Sequence, residues 1–293
     1  MRPEAVVERI WPGRAYTIEP LGGGITNHNF KVSFGDEAVV LRVAGTNTEL
    51  LGIDREVEAA AARMAASVGV GPEVVEFVEP EGWLVTRFVE GEPVPPDRMR
   101  EPANLRRVAD ALRTIHAAPV IPGRFDAHRV VEAYRETAAA HGVDAPAAFD
   151  WAKGVADRIE AARGPHPLVP CHNDLLNANF IDDGERLRIV DWEYAGMGDH
   201  FFDLANFSVN HELGEAQDRE LLDAYAGAAA ERDLASLRLM RFMSDFREAM
   251  WGVVQQGISE LDVDFVGYAH EHFERLERTA ESERFRGALA ATA

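Results

Sequence analysis

The chain has 293 residues, 46% apolar and 27% charged, enough for one large domain or two lobes with separate cores. Its formal net charge of −20 argues against nucleic acid and anionic membrane as partners, because their phosphates would be repelled. The same charge suits a cationic substrate, although it serves solubility equally well. Cys171 is the only cysteine, which excludes an intrachain disulfide. No run approaches the roughly 20 apolar residues that span a bilayer. The start, MRPEAVVERIWPG, is too charged for a secretory signal, so a cytoplasmic location is expected.

From residue 15 the chain reads as strand, Gly-rich turn, strand, turn, strand. Tyr16-Thr17-Ile18 leads into Leu21-Gly22-Gly23-Gly24, then Phe30 to Phe34, then Ala38 to Val43 after a Gly35-Asp36 turn. Residues 54–67 are strongly helix-forming, with Asp54 as N-cap and Gly69 and Gly71 to end the helix. Strands follow near Val74–Val78 and Trp83–Phe88. The segment Glu90-Gly91-Glu92-Pro93 with Pro95-Pro96 is a turn-rich linker. Beyond it, Leu105, Val108, Leu112 and Ile115 fall at helical spacing, as do Val130, Val131, Tyr134 and Ala138. Residues 168–191 are short apolar runs around an Asp182-Asp183-Gly184 turn, and residues 215–280 return to long amphipathic helices. The fold class is therefore α+β: a small antiparallel-sheet lobe with one helix over residues 1–88, then a large, mainly helical lobe over 89–293.

The chemistry concentrates in Cys171-His172-Asn173-Asp174-Leu175-Leu176-Asn177-Ala178-Asn179 and the segment ending Ile189-Val190-Asp191-Trp192. Asp174 and Asn179 share one loop, and the hairpin turning at Asp182–Gly184 returns Asp191 beside Asn179. Asn179 and Asp191 are hard oxygen donors suited to Mg²⁺ shared with substrate phosphates. Asp174 is then left to accept a proton from an attacking hydroxyl, the division of labour of kinase-type phosphoryl transfer. Asn177 is the alternative to Asn179, but lies closer to Asp174 than that pattern requires. His172 is read as a structural residue that hydrogen-bonds backbone, and Cys171 as a buried core thiol.

Glycines at 22–24 allow backbone N–H groups to approach phosphates, and Thr26 and Asn27 add polar donors. No Gly-Lys-Ser/Thr follows, so this is not a Walker loop. Lys31 and Lys153 are the only lysines, and neither lies on the third strand, where protein kinases hold the α and β phosphates. Arg42 occupies that place, and its ion-pair partner is expected on the 54–67 helix, with Glu58 preferred over Glu56.

These motifs resemble the choline/ethanolamine kinase family within the aminoglycoside phosphotransferase superfamily, relatives of the protein kinases. His172 to Leu176 with Asn179 is similar to their HNDLLxxN loop, and Asp191-Trp192-Glu193-Tyr194-Ala195-Gly196 to their metal segment. Gly23-Gly24-Ile25-Thr26-Asn27 resembles their nucleotide loop, and Phe202 to Asn206 the helix start that follows. The resemblance implies a two-lobed kinase-like fold that uses ATP and Mg²⁺. Nucleotide contacts would come from Gly23, Gly24, Thr26, Asn27, Arg42 and Glu58.

Residues 241–255, RFMSDFREAMWGVVQ, are similar to the helix of choline kinases that reads F-W-G-L-W-x-I-I-Q. Its second tryptophan falls on Trp251, while its first falls on Glu248, a departure. The resemblance implies an ammonium pocket with Tyr194 and Trp251 as aromatic walls. Glu248, and Asp245 one turn earlier, would add carboxylates to that face. The expected acceptor is choline or a related amino alcohol. The alternatives are another small-molecule kinase of the superfamily, acting on an aminoglycoside, sugar or thiamine, and an inactive nucleotide-binding protein.

Overall fold

The computed structural model describes residues 2–22 and 27–292. It opens with a helix, α1 (Pro3–Ile10), that the sequence reading did not anticipate. Its apolar signal is short, yet Val6 and Val7 are fully buried against Val32, Leu41 and Val85. Proline near its first position suits a helix start, where the missing N–H costs nothing.

The strands β1 (Thr17–Leu21), β2 (Asn27–Phe34), β3 (Glu37–Ala44), β4 (Val74–Val78) and β5 (Trp83–Arg87) form one antiparallel sheet. Their order is β1-β2-β3-β5-β4. Alternation along β3 buries Val39 and Leu41 in the sheet's own core and sends Arg42 to the opposite face. There it meets α2 (Arg55–Ser67), capped by the Asp54 carboxylate, which accepts from the backbone N–H of Glu56 at 2.9 Å and Val57 at 3.2 Å. Gly69, at φ +75°, ends that helix.

The linker is held rather than loose. Its short strand β6 (Glu92–Pro93) pairs with β8 (Phe180–Asp182), and a Cβ on Gly91 would lie 2.4 Å from the Asp182 carbonyl oxygen. Only glycine permits that approach. The helical part comprises α3 (Pro96–Met99), α4 (Pro102–His116), α5 (Ala127–Ala140) and α6 (Ala148–Arg163), followed by α7 (His200–Asn210) and α8 (Glu215–Ala226). It ends with α9 (Glu231–Ile258), α10 (Phe265–Glu281) and α11 (Glu283–Thr292). Strand β7 (Val169–Cys171) pairs with β10 (Gly196–Gly198), and β8 forms a hairpin with β9 (Leu187–Ile189).

Helix α9 is buried nearly all round from Leu234 to Gln255, so it is the core helix of this part and its charged residues are drawn inside. The alanine-rich face of α2 shares an apolar cluster with Leu175, Phe180, Ile189 and Trp192, which seats the sheet's helix on the β8–β9 hairpin. Among the described residues no helix is long and apolar enough to cross a membrane.

Candidate active site

The loop after β7 is pinned mainly through its backbone. Asp203 of α7 accepts hydrogen bonds from the backbone N–H of His172 at 2.8 Å and Asn173 at 2.7 Å. One turn on, Asn206 accepts from the N–H of Leu175 at 2.6 Å and donates to Ser244 of α9 at 3.1 Å. His116 closes on Asp203 at 3.1 Å, so this fully buried carboxylate is well partnered. His172 donates from Nε2 to the Val190 carbonyl at 3.0 Å, and its Nδ1 accepts the N–H of Asp174 at 3.2 Å. Burial lowers its pKa, and the bonds fit one neutral tautomer acting as a brace. Cys171 is fully buried, and that burial pushes its thiol pKa up.

This frame assembles Asp174, Asn179 and Asp191. The Asn179 side-chain amide donates to the Asp174 carbonyl at 2.8 Å, and the N–H of Val190 donates to the Asn179 carbonyl at 3.0 Å. Asn173 and Asp191 sit at φ +67° and +68°, in the left-handed region. Such strain in non-glycine residues is characteristic of sites whose surroundings dictate the backbone. Burial, reinforced by Glu248, Asp191 and Glu193 and opposed by Arg247, pushes the Asp174 pKa up to about 8.

On the sheet side, one guanidinium joins two elements. Arg42 Nη1 lies 2.5 Å from Glu58 Oε1 and 2.9 Å from Asp191 Oδ1. Glu58 is buried on α2 while Glu56 is exposed, so Glu58 is the carboxylate Arg42 meets. Burial opposes the charge on Arg42, but Asp191, Glu58 and Glu193 overcome it and raise its pKa. Arg55 extends the chain to Glu58 at 2.6 Å, Glu193 at 3.4 Å and Asn27 Oδ1 at 2.9 Å, and Asn27 donates to Glu193 at 2.7 Å. Asn27 is thereby tied to the segment after Asp191. Gly23, Gly24 and Thr26 lie outside the described residues.

On the far side of Asp174, Tyr194 and Trp251 meet directly, with the indole N–H donating to the Tyr194 hydroxyl at 3.0 Å. Trp251 is edge-on to Phe265 and Tyr268, with centroids 5.8 and 5.6 Å away. Glu248 is beside them, bonded to the neighbouring Arg247 and to the Tyr268 hydroxyl at 2.9 Å. Asp245 is placed differently: Arg275 of α10 at 2.7 Å and His272 at 3.2 Å engage its carboxylate, so it holds α9 to α10.

The sequence reading missed Arg247. This side chain is almost fully buried, with its guanidinium 4.2 Å over the Tyr194 ring and Nη1 3.5 Å from Asp174 Oδ1. Burial opposes the charge, yet Glu248 chiefly keeps the Arg247 pKa well above its ordinary value. A signal existed in the Arg247-Glu248 pair within an otherwise apolar stretch of helix, where charges must be paired inside. Arg55 and Glu193 were likewise given no role, since only the tertiary fold makes them partners.

A profile of the phosphotransferase enzyme family matches residues 17–240. Ethanolamine kinase 2 from Mus musculus is 29% identical over 267 residues, covering 80% of this chain and 67% of its own length. The choline kinase LicA from Streptococcus pneumoniae shares the fold at a TM-score of 0.79 and 21% identity, covering 99% of both chains. A choline/ethanolamine kinase family protein from Mesorhizobium loti superposes with a TM-score of 0.84 and 33% identity, covering 99% of this chain and 98% of its own. Kinase-like architecture, motifs and relatives agree, and the chain belongs to the phosphotransferase enzyme family and, within it, to the choline/ethanolamine kinase family.

Proposed function

We propose that this enzyme transfers the γ-phosphoryl group of ATP to the hydroxyl of a small cationic amino alcohol of the choline or ethanolamine type. The observation that carries the reading is the shared guanidinium of Arg42, which brings Glu58 of α2 and Asp191 of the loop into one cluster beside Asp174. Residues 1–88 would supply the nucleotide side, and 89–293 the catalytic loop and acceptor pocket. Its setting would be the cytoplasm, in keeping with a lone buried thiol.

The residues fit a magnesium ion. The Asn179 amide nitrogen is occupied by the Asp174 carbonyl, which leaves its oxygen without a partner among the described residues, and Asp191 adds carboxylate oxygens. Both are hard donors of the kind Mg²⁺ takes. When bound, the ion would neutralise charge on the phosphate oxygens. The chain's own residues do the rest. Asp174 orients the acceptor hydroxyl and takes its proton as the oxygen–phosphorus bond forms and the bond to the ADP oxygen breaks. Arg42, fixed by Glu58, holds nucleotide phosphate oxygens. The ring faces of Tyr194 and Trp251 attract the ammonium. Glu248 retains lone pairs to accept its N–H groups.

ADP release measured across choline, ethanolamine, aminoglycosides and neutral sugars tests this reading, and a neutral sugar as best acceptor would overturn it. Arg42→Ala should raise KM for ATP with little effect on KM for the alcohol. Arg42→Lys should restore the loss only in part, because a point charge cannot span two carboxylates and phosphate as the planar fork does. Normal ATP kinetics in Arg42→Ala would place the phosphates elsewhere. Trp251→Ala should raise KM for the alcohol roughly tenfold, the equivalent of about 1–2 kcal/mol of cation–π contact. KM for ATP should hold. A lower melting temperature with unchanged KM would make Trp251 a packing residue only.

A further inference from the structure

We infer that Arg247 and Glu248 select the acceptor's head group, favouring an ammonium that carries N–H, ethanolamine before choline. The chain's own guanidinium already sits on a face of the Tyr194 ring. The inference rests on the reading of this site as an amino-alcohol kinase and chooses within that substrate class. Arg247 is 1% exposed, and its guanidinium carbon lies 4.2 Å from the Tyr194 centroid. That is the place a substrate cation takes on an aromatic wall. Nη1 of the same group lies 3.5 Å from Asp174 Oδ1 and is paired with Glu248.

These contacts close into a ring of side chains beside the base. Arg247 covers Tyr194, whose hydroxyl accepts from the Trp251 indole at 3.0 Å. Trp251 meets Tyr268 edge-on at 5.6 Å, and the Tyr268 hydroxyl donates to Glu248 at 2.9 Å. Glu248 then returns to Arg247. In acceptors of this type only two carbons separate the hydroxyl from the nitrogen. A hydroxyl that meets Asp174 therefore brings its head group against this ring, at the point where Arg247 reaches the base.

Two kinds of ammonium fare differently there. A trimethylammonium offers only methyl groups, so aromatic faces are what can hold it. Here a guanidinium covers one face of Tyr194, and a carboxylate stands at position 248. The choline kinase pattern F-W-G-L-W-x-I-I-Q has an uncharged Phe-Trp pair where this chain has Arg247 and Glu248. A primary ammonium donates N–H bonds instead. Each Glu248 oxygen has one partner among the described residues and keeps a lone pair to receive such a bond. Those bonds offset the approach of a second cation to Arg247. A site that hydrogen-bonds an N–H also rejects the analogue lacking it more strongly than apolar contact can.

Ethanolamine, its N-methyl and N,N-dimethyl derivatives and choline differ only in the methyl groups on nitrogen. With the wild-type enzyme, kcat/KM from ADP release should fall along this series, ending about tenfold or more lower for choline than for ethanolamine. Glu248→Gln keeps the shape of the wall and removes its charge, and should cost ethanolamine more than choline. Arg247→Phe combined with Glu248→Trp removes both charges together, so neither is left buried alone. That double variant should turn the preference toward choline while KM for ATP holds. The wild-type series stands even if a variant folds poorly. A flat series, or one that rises toward choline, overturns this inference and leaves the amino-alcohol reading intact. So does a folded double variant that keeps the wild-type order, which would place the selection elsewhere. Turnover confined to neutral sugars overturns the amino-alcohol reading and this inference with it.

Discussion

Exchange of Asp174 for asparagine should lower kcat by about 10²- to 10⁴-fold, the usual worth of a positioned general base, while nucleotide still binds. The loss should be chemical rather than structural. The frame of the loop is held by Asp203, Asn206 and His172, and among the described residues the Asp174 carboxylate meets the Arg247 guanidinium at 3.5 Å. Asparagine keeps the shape and loses the basicity. Because burial lifts the Asp174 pKa to about 8, its basic form fills only as pH rises toward and past that value. In the wild type, kcat/KM should accordingly climb with pH through this region, and in the variant the climb should be absent. Calorimetry of nucleotide binding alongside ADP-release kinetics checks both halves. A variant within tenfold of the wild type would remove Asp174 from the chemistry.

Loss of the Asp191 carboxylate should abolish magnesium-dependent turnover. Alanine is the harsher replacement, since residue 191 sits at φ +68°, where a residue without a locally hydrogen-bonding side chain is strained. Asparagine tolerates that backbone, so Asp191→Asn separates the missing charge from the misfolded loop. Both variants should be inactive at any magnesium concentration, while Asp191→Asn keeps a near-native melting temperature because Arg42 still has Glu58. Wild-type magnesium dependence in Asp191→Asn would mean that the ion is held elsewhere.

What could be read in advance follows from how far apart in the chain the partners lie. The Asp54 cap, the β8–β9 hairpin and the loop carrying Asp174 and Asn179 are local, so composition and spacing announce them. Glu58 could be favoured over Glu56 from its spacing to Gly71-Pro72, and Glu58 is the carboxylate that Arg42 meets. Arg247 reaches Asp174 across 73 positions, and His116 reaches Asp203 across 87, and no local pattern encodes such pairs. The partners of Asp245 were hidden for a related reason. Three-residue spacing puts it on Glu248's side of the helix, and there it meets Arg275 of α10, 30 positions along the chain, as Glu248 meets Tyr268. Helix α1 escaped notice because two buried valines are too few to mark a period.

The way α7 grips the catalytic loop also bears on how such an enzyme can diversify. Asp203 and Asn206 take the amide hydrogens of positions 172, 173 and 175, and an amide hydrogen is what every residue except proline offers. The anchor is therefore blind to the identity of the side chains it positions. Lineages can exchange residues around Asp174 and retune the acceptor pocket without renegotiating the scaffold beneath it. The two anchoring side chains on α7 have no such freedom, because the register of the whole loop is written in their hydrogen bonds.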